Sequence, residues 1–255
     1  MPDIPQPLAV LMALGFTGLL VILRFDAERF GAAEYAERDR WGNPPSIARR
    51  IGWYALGIGG IVLIAFVHPD AARELFLGTG DRAGAIVWGL LYGAAGAGIA
   101  VGIAYYRYRH VRVPGLASYP GGLVNSIFTA FVDEAVFRGL VFGYLVVAGV
   151  DPTLANITQA LLYGLATRLG APGRPWYMLV FVLCIGLASG WLTGITGGIG
   201  AAFLGHAVTR FAVFLTTGHA GQPAPRGREE EEIEMRHQTP DGWRSITPPD
   251  ATRDR

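Results

Sequence analysis

Asp133, Glu134 and Arg138 stand inside an otherwise apolar run that continues to Val150 and is long enough to cross a bilayer. Ionisable groups at membrane depth are costly, so they face a bundle interior, find partners and mark a functional site. On a helix, Glu134 and Arg138 lie four residues apart with the acid first, the spacing and order of an ion pair. Asp133 is turned about 100° from Glu134 and meets Phe137 at its own i+4 position, so no cation within the segment neutralises it. Asp133 is therefore expected to be the carboxylate left for chemistry. The alternative is that the three charges form a buried structural network. A later apolar run carries His206 beside Thr209 and Arg210, and another carries Asn156, Gln159 and Thr167. An imidazole can act as acid, base, oxyanion donor or metal ligand. A lone buried one is otherwise a hydrogen-bonded core residue.

These residues need elements to hold them, and the composition says which kind. Half of the residues are apolar and hydrophobic segments recur from Leu8 to Leu215, which predicts an all-α, polytopic transmembrane bundle. The predicted spans are Pro7 to Leu23, Ile51 to Val67, Ala83 to Tyr105, Gly122 to Gly149, Thr153 to Leu169, Pro175 to Thr193 and Thr196 to Thr217. All 21 basic residues are Arg. They crowd the first, third and fifth connections and the tail, whereas the second has only Arg73 and Arg82. Basic residues mark cytoplasmic loops, so the seven spans are expected to run with the N-terminus outside and the C-terminus inside. The first seven residues carry no basic group ahead of the first apolar run, which argues for a retained span rather than a cleaved signal peptide.

The membrane-embedded domain is thus read as 1–217, with a motif-bearing core at 122–217 and a disordered cytoplasmic tail at 218–255. The first connection mixes Phe25, Phe30, Tyr35 and Trp41 with charges of both signs, the composition of a helix lying along the membrane or of a solvated loop. Glycines recur four apart at Gly89/Gly93, Gly98/Gly102, Gly139/Gly143 and Gly186/Gly190/Gly194/Gly198, a pattern for close helix packing in lipid. None follows a strand, as a phosphate-binding loop would require. A net charge of +1 argues against nucleic acid as a partner, and the single cysteine, Cys184, provides neither a disulfide nor a cysteine metal cluster.

The stretch Asp133-Glu134-Ala135-Val136-Phe137-Arg138-Gly139 resembles the Glu-Glu-x-x-x-Arg signature of the CPBP family, the CAAX-processing and Abi intramembrane proteases. In that family a Phe-x-x-x-His helix follows, and later a His-x-x-x-Asn or Asp helix. Here Tyr163 and Thr167 fall where the second motif stands, and His206 and Arg210 where the third stands. The resemblance covers roughly Gly122 to Phe214. It implies an endopeptidase, of metallo- or glutamate-dependent type, cutting hydrophobic or lipidated peptides or membrane proteins in a bacterial or archaeal plasma membrane. By the family pattern the first carboxylate activates water, the His residues stabilise the oxyanion or hold a metal, and the Asn completes the set. The implied site is Asp133, Glu134, Arg138, Thr167, His206 and Arg210, with Asp133, Glu134 and His206 the candidate ligands of a divalent metal such as zinc.

The departures carry physical consequences. Asp133 replaces a Glu and shortens its reach by one methylene, where a misplacement near 1 Å can cost about a hundredfold in rate. Thr167 replaces a His and is a poor metal ligand, so a zinc site would lack the paired imidazoles that catalytic zinc prefers. Arg210 replaces the Asn; it can pair with Asp133 and blunt it as a base, or supply the oxyanion donor that Thr167 cannot. The alternative to a protease is therefore a non-catalytic relative that binds a peptide or protein partner as an immunity or scaffold factor. A transporter using the same charges is a third reading, disfavoured by the lack of an internal repeat.

Overall fold

The computed structural model describes residues 6–27, 30, 47–108, 119–169 and 176–217. All seven predicted segments are helical there, and no strand occurs among the described residues. In chain order the helices are α1 (Gln6–Phe25), α2 (Ile47–Val67), the short α3 (Ala71–Glu74), α4 (Arg82–Tyr108), α5 (Tyr119–Glu134), a π-helical stretch (Ala135–Val141), α6 (Phe142–Val147), α7 (Pro152–Leu169), α8 (Trp176–Thr196) and α9 (Gly200–Thr217). Windows in four of them, Leu8–Phe25, Ala48–Val67, Arg82–Tyr106 and Leu179–Thr196, are long and apolar enough to cross a membrane. The outer faces of these helices carry Leu11, Leu19, Leu56, Phe66, Val87 and Leu90 exposed, as expected where hydrocarbon replaces water as the solvent. The middle of the first connection, expected as a surface helix or a solvated loop, and the tail from 218, expected as disordered, lie outside the described residues, whereas Arg24 and Phe25 belong to the last turn of α1 and Arg49 and Arg50 to the first turn of α2.

The over-long fourth segment becomes one continuous rod, α5 through α6, with the π-helical stretch at its middle. Every residue from Val132 to Leu140 is buried, so the charged motif sits on the central helix of the bundle. Two glycines let other backbone come close to it. A Cβ on Gly139 would stand 3.2 Å from Leu75 O, and one on Gly143 would stand 2.7 Å from the Leu75 Cα. The segment after α3 is thereby laid across the rod. That segment is also tied to the α8–α9 turn: the Asp81 amide donates to Thr196 O at 2.8 Å, and the Ile199 amide donates to Phe76 O and Gly78 O at 3.0 Å. Gly197, at φ +74°, closes α8 in the left-handed conformation that glycine adopts without strain. These ties fix where α9, and with it His206, begins.

α4 lies along α9 through glycines. A Cβ on Gly93 would meet Val208 Cβ at 2.8 Å and one on Gly89 would meet Leu204 Cβ at 2.9 Å, whereas Gly98 and Gly102 face nothing within 4 Å. On the other side α1 and α2 join the rod through a cluster of Leu20, Trp53, Ile61, Ile64, Val136 and Leu140. Trp53 donates its indole N–H to Leu23 O at 3.0 Å and so holds the last turn of α1. The next residue in that turn is Arg24.

Candidate active site

The two adjacent carboxylates meet different partners. Asp133 accepts from Arg24, with Nε to Oδ1 at 2.6 Å and Nη2 to Oδ2 at 3.4 Å, across a sequence separation of 109. The pair is sealed, at 2% and 0% side-chain exposure. Asp133, expected to be left without a cation by its own segment, has one from a different helix, which spacing within one segment does not reveal. Arg210 Nη2 donates to Asn125 Oδ1 at 3.2 Å, and its guanidinium lies within electrostatic reach of Asp133 as well.

Glu134 faces the imidazole. Its Oε1 lies 2.6 Å from His206 Nδ1, and Ser189 Oγ donates to the same oxygen at 3.4 Å. Tyr92 on α4 stands behind, its hydroxyl 3.0 Å from Ser189 Oγ. Arg138 Nε is 3.3 Å from Glu134 Oε2, but the alignment makes this an ion contact, not a hydrogen bond. The Arg138 guanidinium instead lies over the Tyr163 ring, 4.2 Å from its centroid, a cation–π contact that desolvation strengthens. An ionised carboxylate only accepts, so a Glu134 carboxylate fixes the proton on His206 Nδ1 and leaves the Nε2 lone pair available. Nε2 is 3.4 Å from the Tyr163 hydroxyl. A carboxylate behind Nδ1 is the arrangement that orients an imidazole and supports its positive charge when Nε2 takes a proton.

His206 and Tyr163 open onto a cavity of about 20 Å³, whose other polar walls are Arg24, Thr209 and Arg210 and whose apolar wall comes from Phe181, Val182 and Ile185 of α8. That is room for about one water. Neither carboxylate lines it. Asp133 stands behind Arg24 and Glu134 behind His206, so the polar groups presented to the cavity are cations, an imidazole and hydroxyls. Thr167, the position of the second-motif His, is buried elsewhere; its hydroxyl has no hydrogen-bond partner among the described residues and it does not line the cavity.

The donor set does not fit the metal that the resemblance implies. Asp133 is committed to Arg24, Thr167 is no ligand, and Glu134 with His206 leaves a single acid and a single imidazole. No group of three His, Cys, Asp or Glu able to hold an ion occurs among the described residues.

Four residues outside the sequence-read site thus take part: Arg24, Tyr92, Tyr163 through its hydroxyl and ring, and Ser189. Two of them had a visible signal: Tyr163 stands where the second motif has its Phe, and Arg24 is a charge directly after a predicted span, where it must find a partner or snorkel.

A bundle of apolar helices closed around two carboxylates, three guanidiniums and an imidazole is the architecture of a membrane protein with an interior polar site. Residues 115–212, the stretch holding the motifs, match the Rce1-like family model, described as Type II CAAX prenyl endopeptidase Rce1-like. That match bears out the resemblance to the CPBP family read from the motifs, and with it a membrane setting and peptide substrates for the family. No curated protein and no solved structure matches the chain.

Proposed function

We propose that the chain is an intramembrane endopeptidase of the CAAX-protease kind, multi-pass in a bacterial or archaeal plasma membrane, that hydrolyses a peptide bond of a hydrophobic or lipidated substrate. The observation that carries this reading is the 2.6 Å contact between Glu134 and His206 beside a buried cavity of water size. A peptide carbonyl is inert at neutral pH without a base for water and a donor for the developing oxyanion. Both kinds of group are present here.

In the proposed step His206 Nε2 takes a proton from the water as its oxygen bonds to the carbonyl carbon, and Glu134 stabilises the resulting imidazolium through Nδ1. The carbonyl oxygen becomes an oxyanion beside the Arg210 guanidinium. The C–N bond then breaks as His206 returns the proton to the leaving nitrogen, so no proton or electron is left over. Asp133 takes the part of counter-ion to Arg24 and Arg138 that of counter-ion to Glu134. Seven spans with the N-terminus outside belong to the same reading, supported by the seven helical segments and by the arginine-rich connections. The non-catalytic alternative is not favoured, because the family match falls on the stretch that carries the motifs.

The test is cleavage by the purified chain in liposomes of a peptide with an S-prenylated cysteine near its C-terminus, the product being identified by mass. The proposal expects turnover that strong divalent chelators leave unchanged, since the donor set suits no metal. Absence of a product across prenylated and unmodified hydrophobic peptides would contradict it, and a rate abolished by chelation and restored by zinc would contradict the proton-handling assignment.

A further inference from the structure

Arg24 lies outside the stretch that matches the family model, yet it reaches the cavity beside His206. An arginine carries five N–H donors in a planar fork; Asp133 takes two of them, on Nε and Nη2, and the Tyr163 hydroxyl engages the guanidinium too, which leaves donors over. The side chain also lines the cavity, together with Tyr163, His206 and Arg210. Its counter-ion is displaced to the far side, because Asp133 does not line the cavity. The geometry points to a second catalytic cation: we propose that Arg24 donates from its remaining N–H groups to the oxyanion formed in the cavity, while Asp133 holds the fork in place. This rests on the hydrolase reading above and deepens it.

One feature favours the transition state over the substrate as what Arg24 recognises: a donor held in place beforehand acts most strongly on charge that appears only during reaction. The proposed arrangement also answers the loss of a second imidazole at Thr167, since a guanidinium supplies the donor that this position lacks.

The experiment compares wild type with Arg24→Lys, which keeps the charge opposite Asp133 but removes the fork. Two ligands are used: the peptide found to be cleaved, and the same peptide with a phosphinate replacing the scissile amide, whose tetrahedral anionic phosphorus mimics the oxyanion. The expected result is a fall in kcat of about a hundredfold with KM little changed, and a matching loss of phosphinate affinity. Unchanged phosphinate affinity overturns the inference. So does a fall in kcat that is matched by loss of peptide affinity and of melting temperature, which is the pattern of a structural arginine. Should Arg24→Lys fail to fold, Arg24→Met combined with Asp133→Leu carries the same comparison with no buried charge stranded. A wild-type chain that binds the peptide but neither cleaves it nor prefers the phosphinate overturns the hydrolase reading together with this one. Cleavage with an undiminished variant overturns this one alone.

Discussion

Asp133 and Glu134 are neighbours in the chain, and their chemistry diverges because one side chain meets a guanidinium and the other an imidazole. A buried ion pair is weak evidence of stability, but removing one partner strands a charge in hydrocarbon at a cost of roughly 3–5 kcal/mol. Asp133→Leu and Arg24→Met are each expected to destabilise by about that much, whereas the double variant recovers most of the loss; chemical denaturation of the four proteins in detergent reads the cycle. Additive losses would mean that the pair is not coupled. Thr167→Val should keep or slightly raise stability, because a buried hydroxyl without a partner is relieved by an apolar isostere, and a thermal melt checks it. At this scale the contact between Glu134 and Arg138 was legible, being local and set by helical spacing. The Arg24 contact was not, since nothing in a single sequence pairs positions 109 apart.

Helix packing decides whether those side chains meet at all, and here glycine does the positioning. Gly93 faces Val208 at a distance that a methyl group cannot share, while Gly98, one helical turn and a residue further on, faces open space. Gly93→Ala is expected to lose about 1–3 kcal/mol by overpacking and to lower activity by moving α9, which carries His206. Gly98→Ala should be neutral or gain up to about 1 kcal/mol, since alanine is the better helix former. Unfolding of the two variants side by side gives the sign of each. The four-residue spacing made both glycine pairs look like contact ridges; which ridge is used depends on helix rotation, which the spacing does not encode. The π-helical stretch after Glu134 was likewise invisible in the sequence. It is an adjustment in the buried middle of the rod, where the segment after α3 crosses at Gly139 and Gly143.

For the molecule as a whole, the site draws on α1, α4, the central rod, α7, α8 and α9, although the family match covers residues 115–212. Deleting residues 1–27 is accordingly expected to abolish turnover and sharply lower the amount of folded protein in membranes, because Asp133 loses its cation; unchanged activity of the shortened chain in liposomes would show that α1 is dispensable. The helical segments could be read from their long apolar runs, four of which are long and apolar enough to cross a membrane. Their arrangement around one cavity could not, because it depends on contacts between distant segments. The account stands on Glu134 and His206 acting as one proton-handling unit. The most direct measurement is kcat of His206→Gln and of Glu134→Gln per unit of folded protein in liposomes, on the peptide that the wild type cleaves. The account predicts a loss of roughly a hundredfold or more in each, and turnover within about threefold of wild type in either variant, well short of the general acid–base contribution, would contradict it.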